Sequence, residues 1–428
     1  MIRFLKFTAA VALALLIAAC GSSNNNSSPA SVRLINASHT ANLTLTLNGA
    51  AQFSNVASGS ATGYDQVTAS TYTLAVASSS GTLASSTQVV GLASSQTYSV
   101  LAYDRDGAIV ALVVAENQTV PTAGFSLLGI SNDSPDCGAL DVYVVAPGTS
   151  TVVGLTPTFS QVGFGAAPLF TTLVSGTYEI VATASGNPND VRFKTASQQL
   201  TSTQIALLGF TSTSGGALVN GVFANQGTSS VSFSQTTNAR VRVVSALPPA
   251  GASPVAATVG TTALAPVFSP NPGTYTLVPG GTTSYSISIS GTAVAGLPAA
   301  TFATGGDFTI LVYNTTASPV VTILTDNNQA PIAGDVNLRL VNAAVTTPGG
   351  VTVYDNNVAI ANSVAYGAAA PYFGVTEAAN STLEFDAQGI RFLDPNVSLN
   401  VPAAVYTIFV IDSTSPLTLN SVSIIRDR

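Results

Sequence analysis

Short runs of alternating apolar and polar residues recur along the chain from about residue 30 onward, separated by clusters of Gly, Asn, Ser and Pro. Residues 43–47 read LTLTL before Asn48-Gly49, and residues 285–289 read YSISI before Ser290-Gly291. A period of two is typical of a half-buried strand, and Asn-Gly favours a tight hairpin because both positions tolerate positive φ. Beyond residue 19 we find no convincing 3.6-residue apolar period. The pattern predicts an all-β protein.

Two strand motifs recur four times in the same order. The opening strand reads VRLINA at residue 32, LLGISN at 127, VRVVSA at 241 and LRLVNA at 338. A later strand reads TYSVLAYDRDG around Tyr98, TQIALLGFTSTSG around Ile205, DFTILVYNTTAS around Phe308 and VYTIFVIDSTSP around Tyr406. Internal repetition at this spacing indicates tandem modules. We therefore predict four units, at residues 30–120, 121–232, 233–331 and 332–428, with an insertion in the second.

Each unit reads as about six to eight short strands, which is the pattern of a two-sheet sandwich. The predicted fold is a tandem array of immunoglobulin-like β-sandwich repeats. Leucines 43, 45 and 47 would face the space between the sheets. A tyrosine recurs in a middle strand, at Tyr72, Tyr178 and Tyr285. We expect these rings to pack against the core with their hydroxyls at its rim.

The first 19 residues have the three parts of an export signal. Arg3 and Lys6 form a positive segment, and residues 7–19 are apolar but shorter than the roughly 20 residues that span a bilayer. The sequence Ile-Ala-Ala-Cys at residues 17–20 resembles the lipobox of bacterial lipoproteins. The resemblance implies cleavage between Ala19 and Cys20 and acylation of Cys20, giving stable membrane anchoring because more than one acyl chain is attached. The alternative is an ordinary secretory signal cut after Ala19.

Residues 20–29 continue from Cys20 as a Ser- and Asn-rich stretch, which predicts a flexible tether. Residue 21 is Gly and not Asp. By resemblance to Gram-negative lipoproteins, this implies an exported protein held in the outer membrane by a lipid anchor, facing the periplasm or the cell surface. The sequence suggests the membrane as a partner, reached through Cys20, and leaves open an unidentified protein or surface partner.

The chain is acidic and poor in charge. Removal of Arg3 and Lys6 with the signal peptide changes the formal net charge from −7 to −9. Only 7% of the residues are charged, against about 25% in ordinary soluble proteins. A nucleic-acid-binding protein needs a basic stripe, and the nearest approach to one is Arg240 with Arg242. We therefore expect no nucleic-acid partner.

Several of these strands together resemble the bacterial domain of unknown function 4397. The residues that carry the resemblance are RLINAS at 33–38, RLVNA at 339–343, LDVYVV at 140–145, VTVYDNN at 351–357, GTYEI at 176–180 and YTIFVID at 406–412. It is clearest in units two and four and weakest in three. The resemblance implies tandem β-sandwich modules in exported, often lipid-anchored envelope proteins without known catalytic residues.

The residues offer little for catalysis. His39 is the one histidine, and no G-x-S-x-G motif accompanies it, so we interpret it as a solvated turn residue. Glu384 and Asp386 share one face of a strand, as paired catalytic carboxylates or, in the favoured interpretation, as a solvated charged face. Cys137 has no partner within the chain if Cys20 is lipidated. It is either an apolar filler, which we favour, or the source of an intermolecular disulfide.

Calcium is the one cofactor for which the sequence offers candidate ligands. Asp104 and Asp106 alternate in YDRDG and are weak calcium candidates, and Asp133, Asp136 and Asp141 form a second group. Neither group has a full loop pattern with a closing Glu, so turn-forming Asp is favoured and no cofactor is expected.

The sequence predicts a non-enzymatic envelope protein with a binding, adhesion or structural role. The alternative is an envelope hydrolase that acts on polysaccharide through loop carboxylates. Residues 146–165, where the second unit is longer, contain no carboxylate, and the chain has no Trp. Both facts disfavour the alternative, and we expect no enzymatic activity.

Overall fold

The structure, a computed structural model, describes residues 28–428 except 40, 214, 346, 348, 388, 402 and 412–421. The predicted signal peptide, the cleavage site at Ala19 and Cys20, and most of the tether lie outside the described residues. Within them the secondary structure is strand and turn, without a helix. The all-β prediction is confirmed, and the strands form tandem sandwiches of two sheets each.

Unit one contains nine strands. They are β1 Ala30–Asn36, β2 Leu43–Leu47, β3 Ala50–Val56, β4 Ser60–Ala61, β5 Asp65–Val67, β6 Ser70–Ser78, β7 Ser86–Leu92, β8 Thr97–Arg105 and β9 Ala108–Ala115. One sheet has the order β4-β1-β8-β9, with β5 also paired to β1, and the other has the order β3-β2-β6-β7.

Unit two contains ten strands. They are β10 Phe125–Asn132, β11 Leu140–Val145, β12 Phe159–Val162, β13 Leu169–Val174, β14 Gly176–Ala184, β15 Asn187–Lys194, β16 Gln198–Leu200, β17 Ile205–Ser212, β18 Val219–Asn225 and β19 Val231–Ser234. The sheets have the orders β13-β10-β17-β18-β19 and β12-β11-β14-β15, with β16 also paired to β14.

Unit three contains eight strands. They are β20 Asn238–Ser245, β21 Val255–Val259, β22 Thr262–Val267, β23 Thr276–Pro279, β24 Tyr285–Ile289, β25 Thr292–Ala293, β26 Asp307–Asn314 and β27 Pro319–Asp326. The sheets have the orders β23-β20-β26-β27 and β22-β21-β24-β25.

Unit four contains eight described strands. They are β28 Asp335–Asn342, β29 Val351–Asp355, β30 Val358–Val364, β31 Phe373–Thr376, β32 Ala378–Ala387, β33 Ile390–Leu399, β34 Val405–Val410 and β35 Val422–Arg426. The sheets have the orders β31-β28-β34-β35 and β30-β29-β32-β33.

All four units share one topology. The first strand of each unit lies parallel to a late strand, in the pairs β1–β8, β10–β17, β20–β26 and β28–β34. Each sandwich encloses its own apolar core, and alternate residues such as Leu43, Leu45 and Leu47 are buried in it as predicted. The exact boundaries between units remain predictions.

The recurring tyrosines lie at the rim of the cores, as expected. The hydroxyls of Tyr72 and Tyr178 donate to the carbonyls of Thr68 and Val174, at 2.7 and 2.6 Å. The rings of both residues, and of Tyr285, pack against the core of their own unit.

Neighbouring units also bury apolar surface between them. Ile35, Leu101 and Tyr103 of unit one form a cluster with Val222 and Ala224 of unit two. A corresponding cluster joins units three and four, with Val244, Leu311, Tyr313, Val341 and Phe409 among its members. In these units, the sheet that contains the first strand therefore buries its outer face, the one turned away from the core of its own sandwich, against another unit.

Candidate functional site

Buried charged residues are concentrated on those outer faces. In units one, three and four an arginine on the first strand is joined by a tyrosine, a Ser or Thr, and a carboxylate. We call this set the arginine quartet. Its members are Arg33, Tyr64, Ser99 and Glu116 in unit one; Arg242, Tyr275, Thr309 and Asp326 in unit three; and Arg339, Tyr372, Thr407 and Asp427 in unit four.

Sheet register places the members of a quartet together. The Ser or Thr is the partner of the arginine on the parallel strand, as in Arg33↔Ser99 and Arg339↔Thr407. The carboxylate lies two residues beyond the cross-strand partner of that Ser or Thr, and so on the same face. The tyrosine is the residue immediately before an edge strand, β5, β23 or β31, that pairs with the other side of the first strand.

In unit one the quartet is closed by short hydrogen bonds. Arg33 Nε donates to Ser99 Oγ at 2.7 Å, and Nη2 donates to Glu116 Oε1 at 2.8 Å. The guanidinium carbon lies 4.6 Å from the centre of the Tyr64 ring, whose hydroxyl donates to Glu116 Oε2 at 2.6 Å. Arg33 Nη1 also donates to the carbonyl of Thr228 at 2.6 Å, which ties the quartet to unit two.

The quartets of units three and four exchange carboxylates. Arg242 Nη1 lies 2.6 Å from Asp427 Oδ1 of unit four. Arg339 Nη2 donates to Asp326 Oδ1 of unit three at 2.5 Å. Each arginine therefore forms its shortest ion pair across the junction, and the two pairs are reciprocal.

A further ion pair joins units two and three. Arg240 Nε and Nη2 donate to both oxygens of Asp307, at 2.7 and 2.5 Å, and Nη1 donates to Asp190 Oδ1 at 2.9 Å. Arg192 Nη2 donates to the other oxygen of Asp190 at 2.6 Å. The nearest approach to a basic stripe in the sequence, Arg240 with Arg242, is thus buried and paired with carboxylates.

Burial and charge act against each other in this network. Burial opposes ionisation of Asp326, but the guanidinium groups of Arg339 and Arg242 hold the pKa of its carboxyl below the usual value. Burial raises the pKa of the Asp427 carboxyl, despite the attraction of Arg242. Although burial favours the neutral form, nearby carboxylates raise the pKa values of Arg240 and Arg242, so both arginines stay charged.

Unit two lacks the quartet. Gly129 takes the arginine position, Leu207 the Ser or Thr position, and Gln226 the carboxylate position. Phe170 lies opposite Gly129, and its ring fills the space where a Cβ on Gly129 would lie. The Gln226 side chain bonds to the backbone of Gln118 in unit one, accepting from N–H at 3.1 Å and donating to the carbonyl at 2.8 Å.

Two open grooves lie beside these junctions. One, of about 700 Å³, runs over Asp190, Arg240, Arg242, Tyr275 and Asp427, where units two, three and four meet. The other, of about 670 Å³, is lined by uncharged residues of units one and two, mainly Gln, Ser and Thr. In the first groove every one of those five side chains already has a protein partner.

The interpretation of His39 as a solvated turn residue needs correction. Its backbone N–H donates to Asp104 Oδ1 at 2.6 Å, and Nε2 lies 2.8 Å from Asn220 Nδ2 of unit two. About a quarter of the side chain, 26%, is exposed. The turn after β1 packs against unit two, which the sequence of unit one alone does not reveal.

The calcium candidates do not converge. Asp104 is bonded to His39, and these hydrogen bonds hold the pKa of its carboxyl far below the usual value although burial opposes this. Asp106 lies in the β8–β9 turn, 3.2 Å from Arg105. No group of three or more His, Cys, Asp or Glu within the described part of the chain is arranged to hold a metal ion.

The second aspartate group is also dispersed. Asp133 accepts from Ser131 Oγ at 2.9 Å, and Asp136 pairs with Arg105 at 2.8 Å. Asp141 accepts the backbone N–H of Gln161 and of Gly186, both at 2.8 Å. Each carboxylate therefore has separate protein partners.

Glu384 and Asp386 both accept hydrogen bonds from Arg391, at 2.9 and 3.0 Å, and the arginine side chain is 58% exposed while the two carboxylates are 15% and 22% exposed. Cys137 is buried in the core of unit two with Sγ 3.3 Å from Asn132 Oδ1, and burial raises the pKa of its thiol to about 11. Both arrangements agree with the favoured interpretations of a charged outer face and an inert, buried thiol.

Among curated proteins and solved structures, the matches to this chain are absent or distant. No curated protein matches the chain significantly. The Bacillus anthracis TIE protein is 9% identical with a TM-score of 0.14, covering 88% of this chain and 68% of that one. The family 26 carbohydrate-binding module of Eubacterium rectale Amy13K, in complex with maltoheptaose, is 10% identical with a TM-score of 0.16, covering 46% of this chain and 95% of that one. Likenesses this low carry no argument.

Among the described residues there is no helix long and apolar enough to span a membrane.

The family model matches residues 30–143 and 239–349. The matches centre on units one and three. They reach unit two only through β10 and part of β11, and unit four only through β28, so the expectation that the resemblance is clearest in units two and four and weakest in three was wrong. With more than half of its residues matched, the chain belongs to the family described as domain of unknown function, DUF4397.

Proposed function

We propose that this protein is a lipid-anchored scaffold of the bacterial cell envelope, which presents four sandwiches in a fixed arrangement and performs no catalysis. The observation that carries the proposal is the reciprocal exchange of carboxylates between units three and four, by Arg242–Asp427 and Arg339–Asp326. Ion pairs buried at a junction tolerate little change in geometry, because a separated charge would remain in an apolar environment.

The use of charge supports a structural role. Most described arginines pair with carboxylates at the junctions, so few arginine side chains remain free to bind a substrate. The arginine quartets place Tyr, Ser or Thr, and carboxylate side chains together. The Ser or Thr hydroxyl of each quartet, however, donates to the carboxylate and is packed between units. A nucleophile needs a base that is free to accept its proton. The carboxylate of each quartet is already bound by an arginine, including Asp427, which lines the groove of about 700 Å³.

The location follows from Cys20 and the residues around it. The tether at residues 20–29 would hold the first sandwich clear of the lipid surface, in the outer membrane, facing either the periplasm or the outside. A protein partner or a surface would then contact the uncharged Ser, Thr and Asn residues that cover the units. Nucleic acid does not suit a surface whose arginines are largely buried and paired.

The experiment compares Cys20→Ala with Cys137→Ala in the native host, with proteinase K added to intact cells. We expect wild type and Cys137→Ala to fractionate with the outer membrane, and Cys20→Ala to be released or mislocalised. Digestion on intact cells would place the units outside, and protection until permeabilisation would place them in the periplasm. Identical fractionation of Cys20→Ala and wild type would overturn the lipid anchor.

The arrangement is tested separately by small-angle X-ray scattering on the purified chain. A fixed arrangement predicts a scattering profile that rigid copies of the structure reproduce, whether as a single chain or as a symmetric pair of chains. A profile that requires independently moving units would overturn the scaffold. Hydrolysis of an envelope polysaccharide that is lost in a single-carboxylate variant would overturn the non-enzymatic role.

A further inference from the structure

One long stretch of unit two contains no charged residue. From Val142 to Tyr178 the sequence contains no Asp, Glu, Lys, Arg or His. This segment includes β12, β13 and the connections around them. It also contains five large apolar side chains that are exposed: Val153, Leu155, Phe164, Leu169 and Val174, between 43% and 61%.

Strand β13 lies at the edge of its sheet. All six of its residues, LFTTLV, pair with β10 on one side, and no described strand pairs with the other side. Natural edge strands are usually protected by charge, proline, bulges or short length, because their free N–H and C=O groups pair with other chains. Strand β13 contains neither a charged residue nor a proline.

The corresponding edges of the other units have such protection. In unit one the edge is split into β4 and β5, of two and three residues. In unit three β23 has four residues and ends in Pro279, and in unit four β31 has four residues and contains Gly374. Unit two therefore presents the longest uncharged edge strand at this position, with six residues against four or fewer in the other units.

We propose that β13 is a self-association edge, where two copies of this chain join their sheets by antiparallel β13–β13 pairing. The occupant is a second copy because the segment is self-complementary and lacks charge. The mature chain has a net charge of −9, so two copies repel each other unless they meet at an uncharged surface.

Side-chain direction restricts the register. Leu173 packs against the core, and Phe170 lies on the opposite face beside Gly129. Directly opposed residues in an antiparallel pair share a face. A two-fold axis that meets this condition and pairs five of the six residues passes through Thr171 or Thr172. In the first register Leu169 meets Leu173 of the other copy, and Phe170 meets Thr172.

The test uses the full chain in outer membranes of the native host. Thr172→Cys and Thr87→Cys each place one thiol on an exposed position of an edge strand, in β13 and β7 respectively. A short bismaleimide should crosslink Thr172→Cys into dimers, and leave Thr87→Cys and the parent chain, with Cys20 and Cys137 alone, as monomers.

A charge variant tests the same contact without crosslinking. Thr172→Lys brings two positive charges together at the pairing, whereas Thr87→Lys adds an equal charge to the control strand. We expect detergent-solubilised wild type and Thr87→Lys to sediment as dimers and Thr172→Lys as monomers, with unchanged circular dichroism. Monomeric wild type, or equal behaviour of the two variants, would overturn the proposal. Either result is independent of the scaffold and of the anchor.

Discussion

Arg339 of unit four donates a hydrogen bond of 2.5 Å to Asp326 of unit three, and both side chains are almost completely buried. The pair closes the junction together with Arg242 and Asp427. Each guanidinium group also lies over a tyrosine ring, Tyr372 or Tyr275, at 4.6 Å. Each arginine therefore receives its tyrosine from its own unit and its closest carboxylate from the other unit, so the contacts are complete only when the two units meet in this orientation.

Replacing the buried arginine tests this junction. Arg339→Met leaves Asp326 with less compensation in a buried site, and we expect a loss of about 3–5 kcal/mol in stability. The control is Arg391→Met, because Arg391 forms two ion pairs with its side chain 58% exposed. An exposed pair contributes far less than a buried one, because solvent screens its charges. Urea unfolding followed by circular dichroism compares them, and equal midpoints would contradict the buried role.

The two carboxylates of the exchange should respond differently to substitution. The pKa of Asp326 is lowered by Arg339 and Arg242 against the effect of burial, so its ionised form adds stability that is lost as pH falls below its ordinary range. The pKa of Asp427 is raised by burial, so its ionisation costs stability in the folded chain. We expect Asp326→Asn to cost more stability than Asp427→Asn at pH 7, with the gap narrowing below about pH 4. The reverse order in urea unfolding would contradict this.

The exception in unit two has its own test. The ring of Phe170 occupies the place of a Cβ at Gly129, so Gly129→Ala should cost about 1–3 kcal/mol by overpacking. The control is Gly91→Ala on β7, where a Cβ meets no atom within 4 Å and the change should be nearly neutral. Thermal unfolding measures both. Adding Phe170→Leu should recover part of the loss at Gly129, and no recovery would mean that another contact is responsible.

The buried thiol of Cys137 should be unreactive in the folded chain. Burial raises its pKa to about 11, which leaves little thiolate at neutral pH. We expect a maleimide reagent to label Cys137 only in urea, while Val89→Cys, at a position 73% exposed, labels at once. Rapid labelling of native Cys137 would contradict its burial and revive the intermolecular disulfide.

Much of the fold is predictable from local pattern. The period of two in LTLTL specifies which face of β2 is buried, and the repeated opening strands specify four similar units. The quartets also leave a signal, because an arginine stands between apolar residues in three of the four opening strands, at positions 33, 242 and 339. Such an arginine in a strand buried on both faces requires a carboxylate partner.

The partners themselves are not predictable in this way. Alternation assigns Arg339 to the outer face of its sandwich, but carries no information on which other unit covers that face. The exchange with Asp326, and the contact of His39 with Asn220, depend on packing between units. The same limit explains why a solvated turn was the wrong interpretation for His39.

Asp133 provides a titration that reports on the junction of units one and two. Its carboxyl is buried beside Ser131, and burial raises its pKa from 3.8 to about 6. The folded chain therefore holds this proton more tightly than the unfolded chain. The resulting stability, about 3 kcal/mol, is fully present below about pH 4 and is lost as pH rises through 6.

Asp133→Asn removes this titration but keeps an acceptor for Ser131. We expect the variant to be more stable than wild type at pH 7 and to lose the fall in stability between pH 4 and 7, as measured by urea unfolding across that range. Asp65→Asn removes an exposed carboxylate of equal charge and should keep the wild-type profile. The position lies at the junction, since Tyr103 of unit one donates to the backbone carbonyl of Asp133. If Asp133→Asn instead weakens the chain at pH 7, the ionised carboxylate stabilises the fold, and this contradicts the raised pKa.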